Sequence, residues 1–281
     1  MSSKGRRYNR YAEPKLNMKK VLGVIVAILV IVMVIVSIVN VIKNGKDKNK
    51  VKSYSYYTAY ENGKFGVINS DGEIVINPEY SEIIAIPNKD VPIFVCTYDV
   101  NDQDGTYKTK VINQKNEEIF KNYDKVEAID NFDSKQNIWY EDNVLRVQKD
   151  GKYGLINFDG KEILACDYEE IIALKGVTNN LLVKKDGKVG LVNEKGQTII
   201  NTEYKEIKTL KEGYKNEYII VNDNNQYGII STTGTVLVEP KYEDVKYLNN
   251  SELFAVKEAG VWKLVNKDNE ILIDGGYDSI I

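Results

Sequence analysis

Apolar and polar positions follow two patterns along this chain. Residues 21–42 read VLGVIVAILVIVMVIVSIVNVI, 22 positions without a charged side chain. From residue 53 onward, short apolar runs alternate with Gly, Asn, Asp and Ser. The first pattern predicts one long helix of roughly 33 Å, enough to cross the roughly 30 Å hydrocarbon layer of a bilayer. The second predicts short β-strands joined by tight turns and no helix.

The strand-rich region repeats itself. Clear units are KFGVINSDGEIVINPEYSEI (64–83), KYGLINFDGKEILACDYEEI (152–171), KVGLVNEKGQTIINTEYKEI (188–207) and QYGIISTTGTVLVEPKYEDV (226–245). Two degenerate units are TKVINQKNEEIFKNYDKV (109–126) and VWKLVNKDNEILIDGGYDSI (261–280). An Asn or Ser ends the first strand at 69, 113, 157, 193, 231 and 266. A Tyr follows at 80, 123, 168, 204, 242 and 277, 11 residues later in five units and 10 in the unit at 113. Successive units lie 44, 44, 36, 38 and 35 residues apart, so the variable parts are loops.

Each unit reads as about four antiparallel strands. An apolar strand ends in a tight turn, as at Asp186-Gly187. An aromatic-Gly strand such as Phe65–Ile68 follows. A turn such as Asn69-Ser70-Asp71-Gly72 then leads to a further strand. Asn at the start of a type I turn, with Gly at its end, is a hairpin signature that requires positive φ at the Gly. Asn116 and Asn269 stand there where Gly is absent, and Asn tolerates that region best among the other residues. Last comes a Tyr-x-x-Ile/Val strand: Tyr80/Ile83, Tyr123/Val126, Tyr168/Ile171, Tyr204/Ile207, Tyr242/Val245 and Tyr277/Ile280.

These units resemble the WG-repeat family of bacterial proteins, built as aromatic-Gly, apolar pair, turn, Gly, apolar pair and Tyr. The resemblance covers nearly all of 53–281. Only Trp262 supplies the Trp, with Lys263 after it. Phe65, Tyr153 and Tyr227 are the other aromatics, and Val189 replaces one. Gly66, Gly154, Gly190 and Gly228 keep the glycine. The resemblance implies an all-β repeat fold and a binding role, with no substrate and no general activity.

Six units of four strands close as a propeller-like ring or stack as an open β-repeat array. The first unit lacks a preceding Tyr-x-x-Ile strand, and Tyr277–Ile281 is such a strand. That offset favours a six-bladed ring, with the open array as the alternative. The expected organisation is a basic tail (1–20), the transmembrane helix (21–42), a basic stalk (43–53) and the β-repeat domain (54–281).

Charge is segregated. Residues 1–52 hold 12 basic and 2 acidic side chains, whereas residues 53–281 hold 26 and 39. The acidic repeat domain is a poor partner for nucleic acid. Seven basic residues precede the apolar run and five follow it, which places the N-terminus in the cytoplasm and the repeats outside it. The run exceeds a signal-peptide core and no small-residue cleavage site follows, so it reads as an uncleaved anchor. The chain has no His, which removes His triads and His metal sites.

The candidate chemistry is sparse. Asp99-Val100-Asn101-Asp102-Gln103-Asp104-Gly105 departs from a calcium loop in its glycine position and reads as a solvated insertion. Glu79, Glu82, Asp167, Glu169, Glu170, Glu203, Glu206, Glu243 and Asp244 flank the repeated Tyr. Paired carboxylates serve glycosidases, but their recurrence reads as a charged rim. The repeated Tyr reads as packing between units. Tyr54, Tyr56, Tyr57, Tyr60, Tyr98, Tyr140, Tyr214 and Tyr247 are the candidates for exposed contacts. Cys96 and Cys166 read as two buried thiols, with a bridge formed outside the cytoplasm as the alternative, and Asn249-Asn250-Ser251 as a sequon without use in a bacterium. No catalytic, metal or cofactor residue is assigned. The expectation is a single-pass scaffold of the bacterial cell envelope that binds protein partners, not an enzyme. A cell-wall glycan module is the alternative and a glycoside hydrolase a remote one.

Overall fold

The computed structural model describes residues 55–86, 92–248 and 253–280. All regular structure among them is β-strand, arranged as six antiparallel meanders in chain order. The first sheet holds β1 (Tyr56–Glu61), β2 (Lys64–Asn69) and β3 (Ile74–Tyr80). The second holds β4 (Glu82–Ile86), β5 (Ile93–Asn101), β6 (Thr106–Asn113) and β7 (Glu118–Ile119). The third holds β8 (Lys125–Phe132), β9 (Ile138–Lys149), β10 (Lys152–Ile156) and β11 (Glu162–Tyr168). The fourth holds β12 (Glu170–Ala173), β13 (Asn180–Lys185), β14 (Lys188–Asn193) and β15 (Thr198–Tyr204). The fifth holds β16 (Glu206–Thr209), β17 (Glu217–Val221), β18 (Tyr227–Ser231) and β19 (Val236–Tyr242). The sixth holds β20 (Asp244–Tyr247), β21 (Leu253–Glu258), β22 (Val261–Asn266) and β23 (Ile271–Tyr277).

The repeated Asn earns its place in the turn. Asn69 Oδ1 accepts the backbone N–H of Asp71 at 3.0 Å and of Glu73 at 2.9 Å. Asn113, Asn157, Asn193 and Asn266 repeat this pair of bonds, and the Ser231 hydroxyl does so at 3.3 and 3.1 Å. Gly72, Gly160, Gly196 and Gly234 close the turns at positive φ. Asn116 and Asn269 adopt φ of 60° and 61° in their stead, as the sequence predicts.

The aromatic-Gly glycine serves a different purpose. None of the four lies at positive φ. A Cβ on Gly66 would sit 2.5 Å from the Ile76 carbonyl oxygen, and one on Gly228 2.5 Å from that of Val238. Both face a bulge: Phe65 pairs with Tyr80 but Val67 with Ile76, so extra residues of β3 crowd onto Gly66. Bulges of this kind bend the strand and strengthen its twist. In the second unit Lys110 replaces the glycine, the partner strand shortens to Glu118–Ile119 and the bulge is absent. In the sixth unit Lys263 replaces it, yet the bulge persists between Leu264/Ile273 and Trp262/Tyr277. There the facing strand carries Gly275 and Gly276 instead.

Single residues (Ser81, Glu169, Lys205 and Glu243) carry the chain from the last strand of one sheet to the first of the next. The aromatic-Gly strand of each sheet therefore lies on the Tyr-x-x-Ile strand of its successor: β2 on β4, β6 on β8, β10 on β12, β14 on β16 and β18 on β20. Each junction buries one apolar core. Val67, Ile76 and Tyr80 meet Phe94 and Cys96 between the first two sheets. Ile229, Val238 and Tyr242 meet Phe254 and Val256 between the last two. Three further cores fill the junctions between. Six sheets thus share five cores, and no strand pair or core joins the sixth sheet to the first among the described residues. Among the described residues the first sheet has three strands, β1, β2 and β3.

Candidate functional site

Arg146 is the one Arg of residues 53–281. It lies on β9 opposite Leu155 and Glu127. Its counterparts in the other sheets are Thr58, Val95, Leu182, Ile219 and Ala255, so a charge here breaks the repeat. The sequence reading missed this residue, although its uniqueness was a usable signal. The guanidinium donates from Nε at 3.0 Å and Nη2 at 2.7 Å to Glu127 Oε2, and from Nη1 at 2.9 Å to the Ile171 carbonyl. It lies 5.3 Å from the centre of the Tyr153 ring. Tyr107 donates its hydroxyl to Glu127 Oε1 at 2.7 Å. Lys125 sits 3.6 Å from the Tyr107 ring centre.

Charge and burial compete at this cluster. Burial pushes the Glu127 carboxyl up, but Arg146, Tyr107 and Lys125 more than offset it and leave it below the ordinary carboxylate value. The Tyr107 hydroxyl, donating to that carboxylate, is pushed up to about 12. Beside the cluster opens a depression of about 360 Å³, lined by Arg146, Tyr153, Glu169, Glu170, Ile172 and Lys184. It offers charges of both signs and a stacked aromatic to a polar ligand. The cation-on-aromatic pair recurs downstream: Lys208 lies 5.2 Å from Tyr227 and Lys246 4.1 Å from Trp262.

A second polar group ties the third sheet to the fourth. Asn131, 1% exposed, donates to Glu141 Oε1 at 2.7 Å and to the Leu174 and Val177 carbonyls at 3.2 Å. Its own oxygen accepts the Gly176 N–H at 3.0 Å. Glu141 Oε2 accepts the Asn179 N–H. Burial pushes the Glu141 carboxyl up, by more than its hydrogen bonds from Asn131 and Asn179 pull it down. Every strong acceptor here is used internally, so this group holds structure.

The residues singled out from sequence scatter. Tyr80 and Tyr242 are buried, and Tyr123, Tyr168 and Tyr204 are half-buried against the cores. The repeated Tyr is thus packing at these five positions, whereas Tyr277 is 49% exposed. Of the irregular tyrosines, Tyr57, Tyr60 and Tyr140 are exposed. Tyr56 packs on Phe94, Tyr98 on Tyr80 and Tyr214 on Tyr247. Of the nine carboxylates, Glu169 and Glu170 line the Arg146 depression. Glu79, Glu82, Asp167, Glu203, Glu206 and Glu243 are exposed and Asp244 is partly covered, as a charged rim requires. Asp104 accepts Thr106 N–H and hydroxyl within its own turn, so the acidic stretch is a local cap. Cys96 and Cys166 are free thiols, and burial pushes Cys96 up to about 12. The predicted span 21–42, Tyr54 and the sequon at 249–251 lie outside the described residues. No helix among the described residues is long and apolar enough to cross a membrane.

Four segments, residues 65–91, 153–188, 190–227 and 227–262, match the model of the WG containing repeat. From residue 65 onward it leaves unmatched residues 92–152, 189 and 263–281, which hold all of the degenerate unit at 109–126 and nearly all of that at 261–280. No curated protein matches the chain. Among solved structures, a eukaryotic initiation factor is 9% identical over 78% of this chain at a TM-score of 0.34. The chain covers 62% of that protein's length. Hsv2p of Kluyveromyces lactis is 11% identical over 77% of this chain and 72% of its own, at 0.29. AztD of Citrobacter koseri is 9% identical over 78% and 71%, at 0.31. Likeness at this level carries no argument about function or overall shape.

Proposed function

We propose that this chain is a single-pass scaffold of the bacterial cell envelope. Residues 21–42 anchor it, the N-terminus faces the cytoplasm, and the β-repeat domain holds protein partners outside. The reading rests on one conjunction: an uncharged 22-residue run between basic flanks, joined to repeats that match the WG model. The repeated turn asparagines and the Asn131–Glu141 and Arg146–Glu127 groups tie strands and sheets together, which suits a rigid display surface. An open stack is favoured over the six-bladed ring by the exposure of Tyr57, Ile273 and Tyr277 on the end sheets.

A cell-wall glycan module is the second reading, favoured by exposed Tyr57, Tyr60 and Tyr140, since tyrosine faces stack on sugar rings. In-cell crosslinking from the outer face, with mass spectrometry of the products, separates the two. A recurrent protein neighbour is expected. Labelling without a protein neighbour transfers the role to glycan. Absence of labelling from outside reverses the topology and sinks the reading.

A further inference from the structure

We propose that the chain associates head to tail with a second copy of itself, the last sheet of one seating on the first sheet of the next. Phe94, Leu145, Leu181, Tyr218 and Phe254 occupy the same place on the second strand of a four-stranded sheet, facing the sheet before. All five are 3% exposed or less. Their counterpart on β1 is Tyr57, which is 51% exposed.

The other end of the stack is bare in the matching way. Ile76, Ile200 and Val238 face the following sheet and are 3% exposed or less. Their counterpart Ile273 is 41% exposed. Val67, Val111, Leu155, Leu191 and Ile229 are fully buried, whereas Leu264 in the same place is only half-buried. Tyr277 completes the patch. Within the molecule these two kinds of face meet five times, Val67 and Ile76 on Phe94 in one case and Ile229 and Val238 on Phe254 in another. The surface that fits Leu264, Ile273 and Tyr277 is therefore the one that carries Tyr57.

The backbone makes the same statement independently. The residue after each repeated Tyr donates its N–H to the second strand of the next sheet: Ser81 to Thr97, Asp124 to Gln148, Glu169 to Lys184, Lys205 to Val221 and Glu243 to Lys257. The corresponding donor in the last unit is Asp278. The corresponding acceptor on β1 is the Tyr60 carbonyl, since Tyr60 pairs with Phe65 as Lys257 pairs with Trp262. Seating the second copy so adds residues 278–280 to the edge of β1 that no described strand pairs with, and gives the first sheet a fourth strand. Strand addition of this kind supplies main-chain bonds, while the apolar face supplies affinity. The contact is heterologous, and it propagates unless the rotation closes it.

The test uses full-length protein in detergent, with Cys166→Ser as background. Tyr57→Cys and Ile273→Cys chains carrying different tags are mixed and treated with a short bis-maleimide. The expected product joins the two tags, and Leu264→Asp in the Ile273→Cys chain lowers its yield at least about tenfold by placing an unpaired charge in the contact. Ile138→Cys, exposed elsewhere, controls for collision and is expected to give no comparable product. Absence of the mixed product overturns the proposal. So does a Tyr57→Cys/Ile273→Cys double variant that links only within one chain, which would mean closure on itself. A Tyr57→Cys chain that links mainly to its own kind overturns the head-to-tail geometry.

Discussion

Three single residues show how different constraints write themselves into one repeat. Gly228 is fixed by approach, since a Cβ would lie 2.5 Å from the Val238 carbonyl oxygen and 2.7 Å from the Pro240 nitrogen. Both are backbone atoms, so relief requires moving a strand. Gly228→Ala is expected to destabilise the domain by about 1–3 kcal/mol in urea unfolding. Ala259 is the opposite case. It sits at φ 53° in the Ala259-Gly260 turn, where the equivalent turns use Asn62-Gly63, Asp150-Gly151 and Asp186-Gly187. Two consecutive positive φ values favour Asn-Gly, so Ala259→Asn is expected to raise the stability by up to about 1 kcal/mol. Arg146 is fixed by charge. Removing it leaves Glu127 buried without its main partner, and Arg146→Ala is expected to cost about 3 kcal/mol. The Glu127 carboxyl is held below its ordinary value of 4.5 in the folded state. Its stabilising contribution is therefore full above that value and lost as pH falls through the folded value. Urea titrations of both proteins should show the gap at pH 7 narrowing below about pH 4.5. A gap that stays constant with pH would remove Glu127 from the account.

At the scale of elements, turn chemistry does most of the specification. The Asn or Ser before each type I turn satisfies two backbone N–H groups that the turn leaves open, which fixes where one strand stops and the next begins. Asn193→Ala removes both bonds, to Lys195 and Gln197. A loss of about 1 kcal/mol is expected, with faster amide exchange confined to the turn between β14 and β15. The repeated strands and turns and the positive φ of Asn116 and Asn269 were legible in the sequence, because each depends on contacts within a few residues. The reason for the aromatic-Gly glycine was not legible. It answers to a bulge in a strand 10 to 14 residues away, and nothing in the glycine's own neighbourhood announces the crowding. The Asn131–Glu141 tie escaped for the same reason, since its partners lie 43 to 46 residues from Asn131.

At the scale of the molecule, the apolar cores among the described residues each join a sheet to its neighbour in sequence. One polar contact reaches further, from Ser134 in the third sheet's hairpin to Glu212 in the fifth sheet's loop. In such a system stability is approximately a sum of unit and interface terms. The third and fourth sheets are tied by Asn131, Glu141 and Arg146 as well as by a core of Ile129, Val144, Leu155 and Leu181. Hydrogen exchange is therefore expected to be slowest there and to quicken toward the first and sixth sheets. Uniform protection across all six sheets would indicate a single cooperative unit instead. The sequence by itself determined the number of units, the strand and turn content, the apolar run and the segregation of charge, because periodicity and composition need no partner. Only the tertiary structure decided which faces meet, which tyrosines are covered, why the glycine is needed and where Arg146 finds its carboxylate. Those outcomes depend on the short links, one residue at four junctions and residues 120–124 at the other, that lay each aromatic-Gly strand on the next Tyr-x-x-Ile strand, a geometry set by sheet twist and packing.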